Sequence, residues 1–141
     1  FTLSQFEQAV SDLHKRNIPV ITHLILGLPG ETKEDMLSSV RYVGSLPVTG
    51  IKLQLLHILK GTDLGTAYMA DPFPLFTLEE YCDLIADCIA LLPPEIVIHR
   101  LTGDGPRNLL LAPLWSTDKK RVLNTIQKYL RERDLWQGKN I

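Results

Sequence analysis

From Val20 to Leu26 the chain is rich in Ile and Leu, broken only by Thr22 and His23, and it then halts at Gly27-Leu28-Pro29-Gly30 before an amphipathic stretch. An apolar run of this length, bounded by a turn, reads as a strand covered on both faces, as in parallel α/β sheets. Gly27 and Gly30 tolerate backbone angles that other residues resist, and Pro29 fixes its own φ, so the chain must turn there. Thr32 with Asp35 then forms an N-cap pair, and Met36, Leu37, Val40 and Val43 supply the apolar stripe of a helix over 33–46. The unit is strand, tight loop, helix.

The same grammar recurs along the chain. Ser4 with Glu7 predicts a capped helix over 5–16, ended at Asn17. The segment 50–57 alternates, with Ile51, Leu53 and Leu55 on one face and Lys52, Gln54 and Leu56 on the other. Thr77 with Glu80 opens a helix to Leu92, stopped by Pro93-Pro94; a short strand follows over 96–101; and Ser116 or Thr117 is expected to cap a last helix. Two long connections, 58–76 and 102–116, show no sustained period and are expected to be irregular, and the residues from Gln137 are expected to fray. No hairpin signal is present. The order α, βα, βα, βα therefore predicts parallel strands with right-handed crossovers, in an open sheet or in part of a barrel. The partly polar face carrying Lys52 and Gln54 favours a barrel with a lumen, because polar residues in such sheets persist where they meet a cavity.

Size and charge narrow the function less. The 141 residues suit one domain, expected to comprise βα units and loops over 1–116 and a terminal helix over 117–136. Fifteen basic against sixteen acidic residues leave a net charge of −1, which indicates neither a nucleic-acid nor a membrane surface. No apolar run reaches the roughly 18 residues needed to span a bilayer. Cys82 and Cys88 fit no metal-ligand spacing and are expected to be buried free thiols, consistent with a cytoplasmic protein.

Parallel α/β folds collect chemistry where strands end and helices begin, so the loops 27–31, 57–76 and 102–116 are expected to share one rim. The first lacks the Gly-Lys-Ser/Thr ending of a P-loop and the Gly-x-Gly-x-x-Gly of a dinucleotide site, and by itself is either a turn or an anion site. His23 lies mid-strand, where a histidine is a core polar group unless its face meets a cavity; His57 and His99 lie near strand ends. Glu31 and Asp104 suit either acid–base chemistry or capping, Arg100 and Arg107 could clamp a carboxylate or phosphate, and Lys119, Lys120, Arg121 and Lys128 read as a solvated face.

Four motifs in order, His23-Leu24-Ile25-Leu26-Gly27-Leu28-Pro29-Gly30-Glu31-Thr32, Leu56-His57-Ile58-Leu59-Lys60-Gly61-Thr62, Ile98-His99-Arg100-Leu101-Thr102-Gly103-Asp104 and Ala112-Pro113-Leu114-Trp115, resemble the C-terminal half of radical S-adenosylmethionine (SAM) proteins, in the YhcC-like branch related to the Elongator-subunit-3-like group. The resemblance implies the C-terminal half of a partial (βα)6 TIM-like barrel. It further implies SAM and a [4Fe-4S] cluster as cofactors of the full-length oxidoreductase, with SAM cleaved reductively to a 5′-deoxyadenosyl radical. By the same resemblance His23, Gly27, Leu28, Pro29, Gly30, Glu31, Gln54, Leu56, His57 and Ile58 would line the SAM site, and Lys52, His99, Arg100, Asp104 and Arg107 the substrate side. The Cys-x3-Cys-x2-Cys motif of that family is absent, so the chain is expected to be a fragment, opening on Phe1, inactive alone, and prone to self-association along its unpaired edge. Alternative readings are a small α/β module for a phosphate-bearing ligand, an RNA-modifying relative, or a protein-interaction domain.

Overall fold

The computed structural model describes residues 1–141. Helix α1 (Leu3–Lys15) leads into β1 (Ile21–Leu26), α2 (Lys33–Gly44), β2 (Gly50–Leu55), β3 (Ile58–Leu59), α3 (Asp63–Ala70), α4 (Leu78–Leu91), β4 (Val97–Arg100), β5 (Leu110–Ala112), a 3-10 turn (Leu114–Thr117) and α5 (Lys119–Glu132). Strands β1, β2 and β4 form one parallel sheet in the order β1-β2-β4, alternating with helices as expected. No helix is long and apolar enough to cross a membrane.

The caps explain where the helices begin. Thr32 and Asp35 bond reciprocally at α2, as do Thr77 and Glu80 at α4. At α1 the reciprocal pair is Thr2 and Gln5 rather than Ser4 and Glu7, so the helix starts earlier than expected; an amide at N3 serves as well as a carboxylate. At α5 the cap is Asp118, whose carboxylate accepts from the Arg121 amide, while the hydroxyls of Ser116 and Thr117 close the preceding 3-10 turn.

The sheet is covered on one face only. Thr22 and Leu26 of β1 and Ile51, Leu53 and Leu55 of β2 turn toward the helices, where α4 is the central element: Tyr81, Cys82, Ile85 and Cys88 are fully buried. Both cysteines are free. On the opposite face Ile21 is 43% and Ile25 44% exposed, so β1 is not buried on both sides as its apolar run implied. His23 lies between them, in register with Lys52; Ile25 is in register with Gln54. The β2–β4 register slips after Ile51, so Lys52 pairs with Arg100. His99, passed over by the slip, leans across Gly50, where a Cβ would stand 2.6 Å from its Nε2. That face mixes apolar and polar groups and has no helix over it.

The two long connections are more ordered than their lack of period implied. β3 and β5 pair antiparallel, Ile58 with Ala112 and Leu59 with Leu110. No hairpin signal marks this pairing because the two strands are far apart in the chain and only two and three residues long. Thr62 caps α3 by accepting from the Gly65 amide. The C-terminal residues do not fray: Gln137 Nε2 donates to the carbonyls of Pro93 and Ile96, each at 2.7 Å, and the Asn140 amide donates to Ala90.

Lys33 of α2, Asp83 and Asp87 of α4, and Arg133 just past α5 form one ion-pair network with N–O distances from 2.5 to 2.9 Å. Burial works against ionised Asp87, but its bonds to Lys33 and Arg133 outweigh it and hold the carboxyl below the usual carboxylate range. The network ties three helices together on the covered side of the sheet.

Candidate functional site

Because β1, β2 and β4 are parallel, their C-terminal ends lie on one edge, where Gly27, Leu56 and Leu101 leave the sheet. The expected site residues fall mainly in three places, two of them at that edge.

The first is a cavity of about 360 Å³ beneath the turn after β1. It is lined by the turn Gly27, Leu28, Pro29, Gly30 and Glu31, by Phe73 to Phe76, and by Lys33, Met36 and Glu80. Gly27 adopts φ +89°, and a Cβ there would meet the Phe76 ring at 3.1 Å, so both conformation and space require glycine. Its amide points at Met36 Sδ, 3.3 Å away. Gly30, at φ +84°, needs glycine for conformation alone, since a Cβ would meet nothing.

The second is the open sheet face, which carries His23, Lys52, Gln54 and His99. His99 lies over the first residue of β2 and not at the rim; the register slip leaves it without a paired residue on β2. Ile58 is fully buried in β3.

The third is a smaller cavity, about 240 Å³, where β2 runs out against the turn after β4. His57 and the segment 103–105 form one wall, Arg107, Thr117 and Lys119 another. The Gly105 amide donates to His57 Nδ1 at 3.2 Å, while His57 Nε2 is buried without a partner. Cβ atoms at Gly103 and Gly105 would stand 2.1 and 2.6 Å from the ring, so these two glycines set its seat. Asp104 pairs with Arg100 at 3.2 Å and with Lys119 at 2.5 Å; these bonds hold its carboxyl below the usual range, Lys119 contributing most. Arg107 donates to the Thr117 carbonyl at 3.0 Å.

Burial pushes His57 below the ordinary histidine value; Asp104 opposes this and Lys119 assists it. The neutral ring is favoured in the folded chain, so the unfolded chain takes up a proton first. Its contribution to stability is therefore present above about pH 6.5 and is lost as pH falls through the lower folded value. Thermal unfolding followed from pH 7 to pH 5 is expected to show this loss in the native chain and a weaker one in His57→Gln; identical profiles would remove the histidine from the account.

Aromatic side chains hold the two cavities in place. The Tyr81 hydroxyl donates to the Leu101 carbonyl at 2.7 Å, and its ring contacts Phe76 and Trp115, with centroids at 6.2 and 5.7 Å. The Trp115 indole N–H donates to the Phe76 carbonyl at 3.0 Å. Phe73, Phe76, Thr117 and Lys119 were not singled out as site residues from sequence. Lys119 read as part of a solvated face, and its tie to Asp104 could not be seen from helical spacing.

A metal cluster does not fit these residues. No three His, Cys, Asp or Glu side chains come together as a metal site, and burial in α4 pushes the Cys82 and Cys88 thiols up to about 11 and about 12.

A parallel sheet with helices on one face, an uncovered second face and loops gathered at the strand ends defines the class: an α/β protein built as part of a barrel. The match to a solved structure agrees. The archaeal Methanocaldococcus infernus Elp3 with an N-terminal deletion shares the fold with TM-score 0.78 and 17% identity, over 97% of this chain and 32% of that one. The particular family follows from residues 48–132, which match the model of the Radical_SAM C-terminal domain; the chain belongs to that family. It is 40% identical over 134 residues to the uncharacterized protein YtqA of Bacillus subtilis (strain 168), covering 95% of this chain. To the protein YhcC of Escherichia coli (strain K12) it is 34% identical over 127 residues, 90% of the chain. The chain spans about 42% of YtqA and 41% of YhcC.

Proposed function

We propose that this chain is the SAM- and substrate-binding portion of a radical SAM enzyme. The observation that carries the reading is the one-sided sheet: parallel strands are ordinarily covered on both faces, and here the face bearing His23, Lys52 and Gln54 lacks a cover while the strand ends open into cavities. The remaining part of the barrel continues the sheet from its edge, encloses that face as a lumen and brings the thiolates for a [4Fe-4S] cluster. SAM, when bound in the complete protein, supplies a 5′-deoxyadenosyl radical by reductive cleavage. Within this chain the Gly27–Glu31 turn and Phe76 form the wall for the adenosyl group: glycine lets the backbone approach, and the aromatic ring offers an apolar surface. His23, Lys52 and Gln54 face the lumen; His23, Gln54 and His57 belong to the SAM side, and Lys52 with His99, Arg100, Asp104 and Arg107 to the substrate side.

S-adenosylhomocysteine, which carries the adenosyl group but no sulfonium to cleave, tests the assignment. Calorimetric titration of the complete protein is expected to give saturable binding that Gly27→Val weakens by at least about tenfold, equivalent to ~1.4 kcal/mol. Affinity unchanged from the parent protein in both Gly27→Val and Phe76→Ala would move the adenosyl site elsewhere. Reductive SAM cleavage by the anaerobically reconstituted complete protein, absent from the present chain alone, tests the chemistry.

A further inference from the structure

Strands β1, β2 and β4 contain no Asp or Glu; their ionisable side chains are His23, Lys52, His99 and Arg100. Lys52 stands at the centre of the sheet, in register with His23 on one side and with Arg100 on the other, at the spacing of about 4.8 Å between neighbouring strands. His99 takes the room that a side chain at Gly50 would fill, two residues or about 7 Å back along β2 from Lys52. Lys52 is half-buried and enters no ion pair. Asp104, in the turn after β4, is already taken by Arg100 and Lys119.

Enclosure changes what this arrangement demands. Once the face becomes a lumen, beside the apolar Ile21 and Ile25, the Lys52 ammonium loses much of its water, and a charge in such surroundings requires a counter-ion. These three strands supply none. We propose that Lys52 and His99 bind the anionic group of the substrate, so that the substrate of this site is an acid bearing a carboxylate or a phosphate. The inference rests on the SAM reading, which makes this face the lumen, and it names the class of molecule that the lumen takes. Lys52 brings a point charge with three donors, and the His99 ring, which makes no hydrogen bond within the chain, adds an N–H within reach of the same anion. Arg100 stays with Asp104.

The test titrates the complete protein, with and without S-adenosylhomocysteine, with inorganic phosphate and, separately, with acetate, following the ring resonances of His99. Saturable shifts with either anion while S-adenosylhomocysteine is bound support the site, and the anion that gives them identifies the group recognised. Lys52→Met is expected to weaken that binding about tenfold and Lys52→Arg to keep it, whereas Lys120→Ala, on the exposed side of α5, leaves it unchanged. His99→Gln, read by calorimetry, takes the place of Lys52→Met if that variant does not fold. The proposal is overturned by the absence of a saturable shift at His99 with either anion. It is equally overturned if Lys52→Met keeps anion binding and loses affinity for S-adenosylhomocysteine, which assigns the lysine to the carboxylate of SAM, or keeps anion binding and unfolds more readily, which assigns it to a carboxylate of the remaining barrel. Failure of S-adenosylhomocysteine to bind is a separate result: it removes the SAM reading, while the anion titration without it still decides whether Lys52 and His99 hold an anion.

Discussion

Tyr81→Ala is expected to destabilise the chain by about 3–5 kcal/mol, enough to unfold a domain of ordinary stability. Tyr81 is fully buried, touches Phe76 and Trp115, and donates to the Leu101 carbonyl, so truncation leaves a cavity, breaks an aromatic chain and orphans an acceptor together. Tyr81→Phe separates these effects. It keeps the ring and removes only the 2.7 Å hydrogen bond, for an expected loss of about 1–3 kcal/mol. Chemical denaturation of the two variants measures both. A loss for Tyr81→Phe as large as that for Tyr81→Ala would mean that the hydroxyl, rather than packing, dominates at this position.

The second large effect lies at Gly65. Its Cα sits in the first turn of α3 against the end of β3, and a Cβ there would stand 2.1 Å from the Leu59 carbonyl oxygen and 3.1 Å from Thr62 Oγ1. Both neighbours are already committed: Thr62 Oγ1 donates to Leu59 and accepts the Gly65 amide. Backbone cannot step aside as a flexible side chain can, so Gly65→Ala must displace α3 from β3. The expected cost is about 3 kcal/mol, at the upper end for overpacking. Hydrogen exchange should locate the damage: the Lys60 amide, bonded to Leu109 beside the β3–β5 pair, loses protection before the amides of β2 do. Gly30→Ala is the contrasting variant, since its Cβ meets nothing and only the positive φ opposes it, at about 1 kcal/mol. A Gly65→Ala chain as stable as Gly30→Ala would refute the steric account.

Local rules carried most of the fold into the sequence. The caps at Thr32 and Thr77 and the alternation at 51–55 are short-range patterns, and each reappears in α2, α4 and β2. What lay beyond them depends on partners distant in the chain. The antiparallel β3–β5 pair joins two strands of two and three residues, too short to leave a period, and α3 begins at a Thr62 cap whose N3 residue is Gly65, without the side-chain partner that marks the capping boxes of α1, α2 and α4. Burial of β1 was overestimated for a related reason. An Ile- and Leu-rich strand reads as covered on both faces whether its cover lies in the same stretch of chain or elsewhere, and Ile21 and Ile25 remain open here. At the candidate site, the loop at Gly27 could be found by its glycines, but the neighbours of His57 could not. Gly103, Gly105 and Lys119 meet it only because β4 and α5 fold back to the end of β2.

The aromatic struts also bear on thermodynamic linkage. Trp115 ties the segment carrying Phe76, which walls the cavity at Gly27, to the turn carrying Ser116 and Thr117, which walls the cavity at His57; Tyr81 fastens the approach to Gly103 through Leu101. A guest that shifts either wall therefore works against a beam shared with the other. Reciprocity then requires that whatever free energy the first occupant adds to or withholds from the second is returned in equal measure when the order of arrival is reversed.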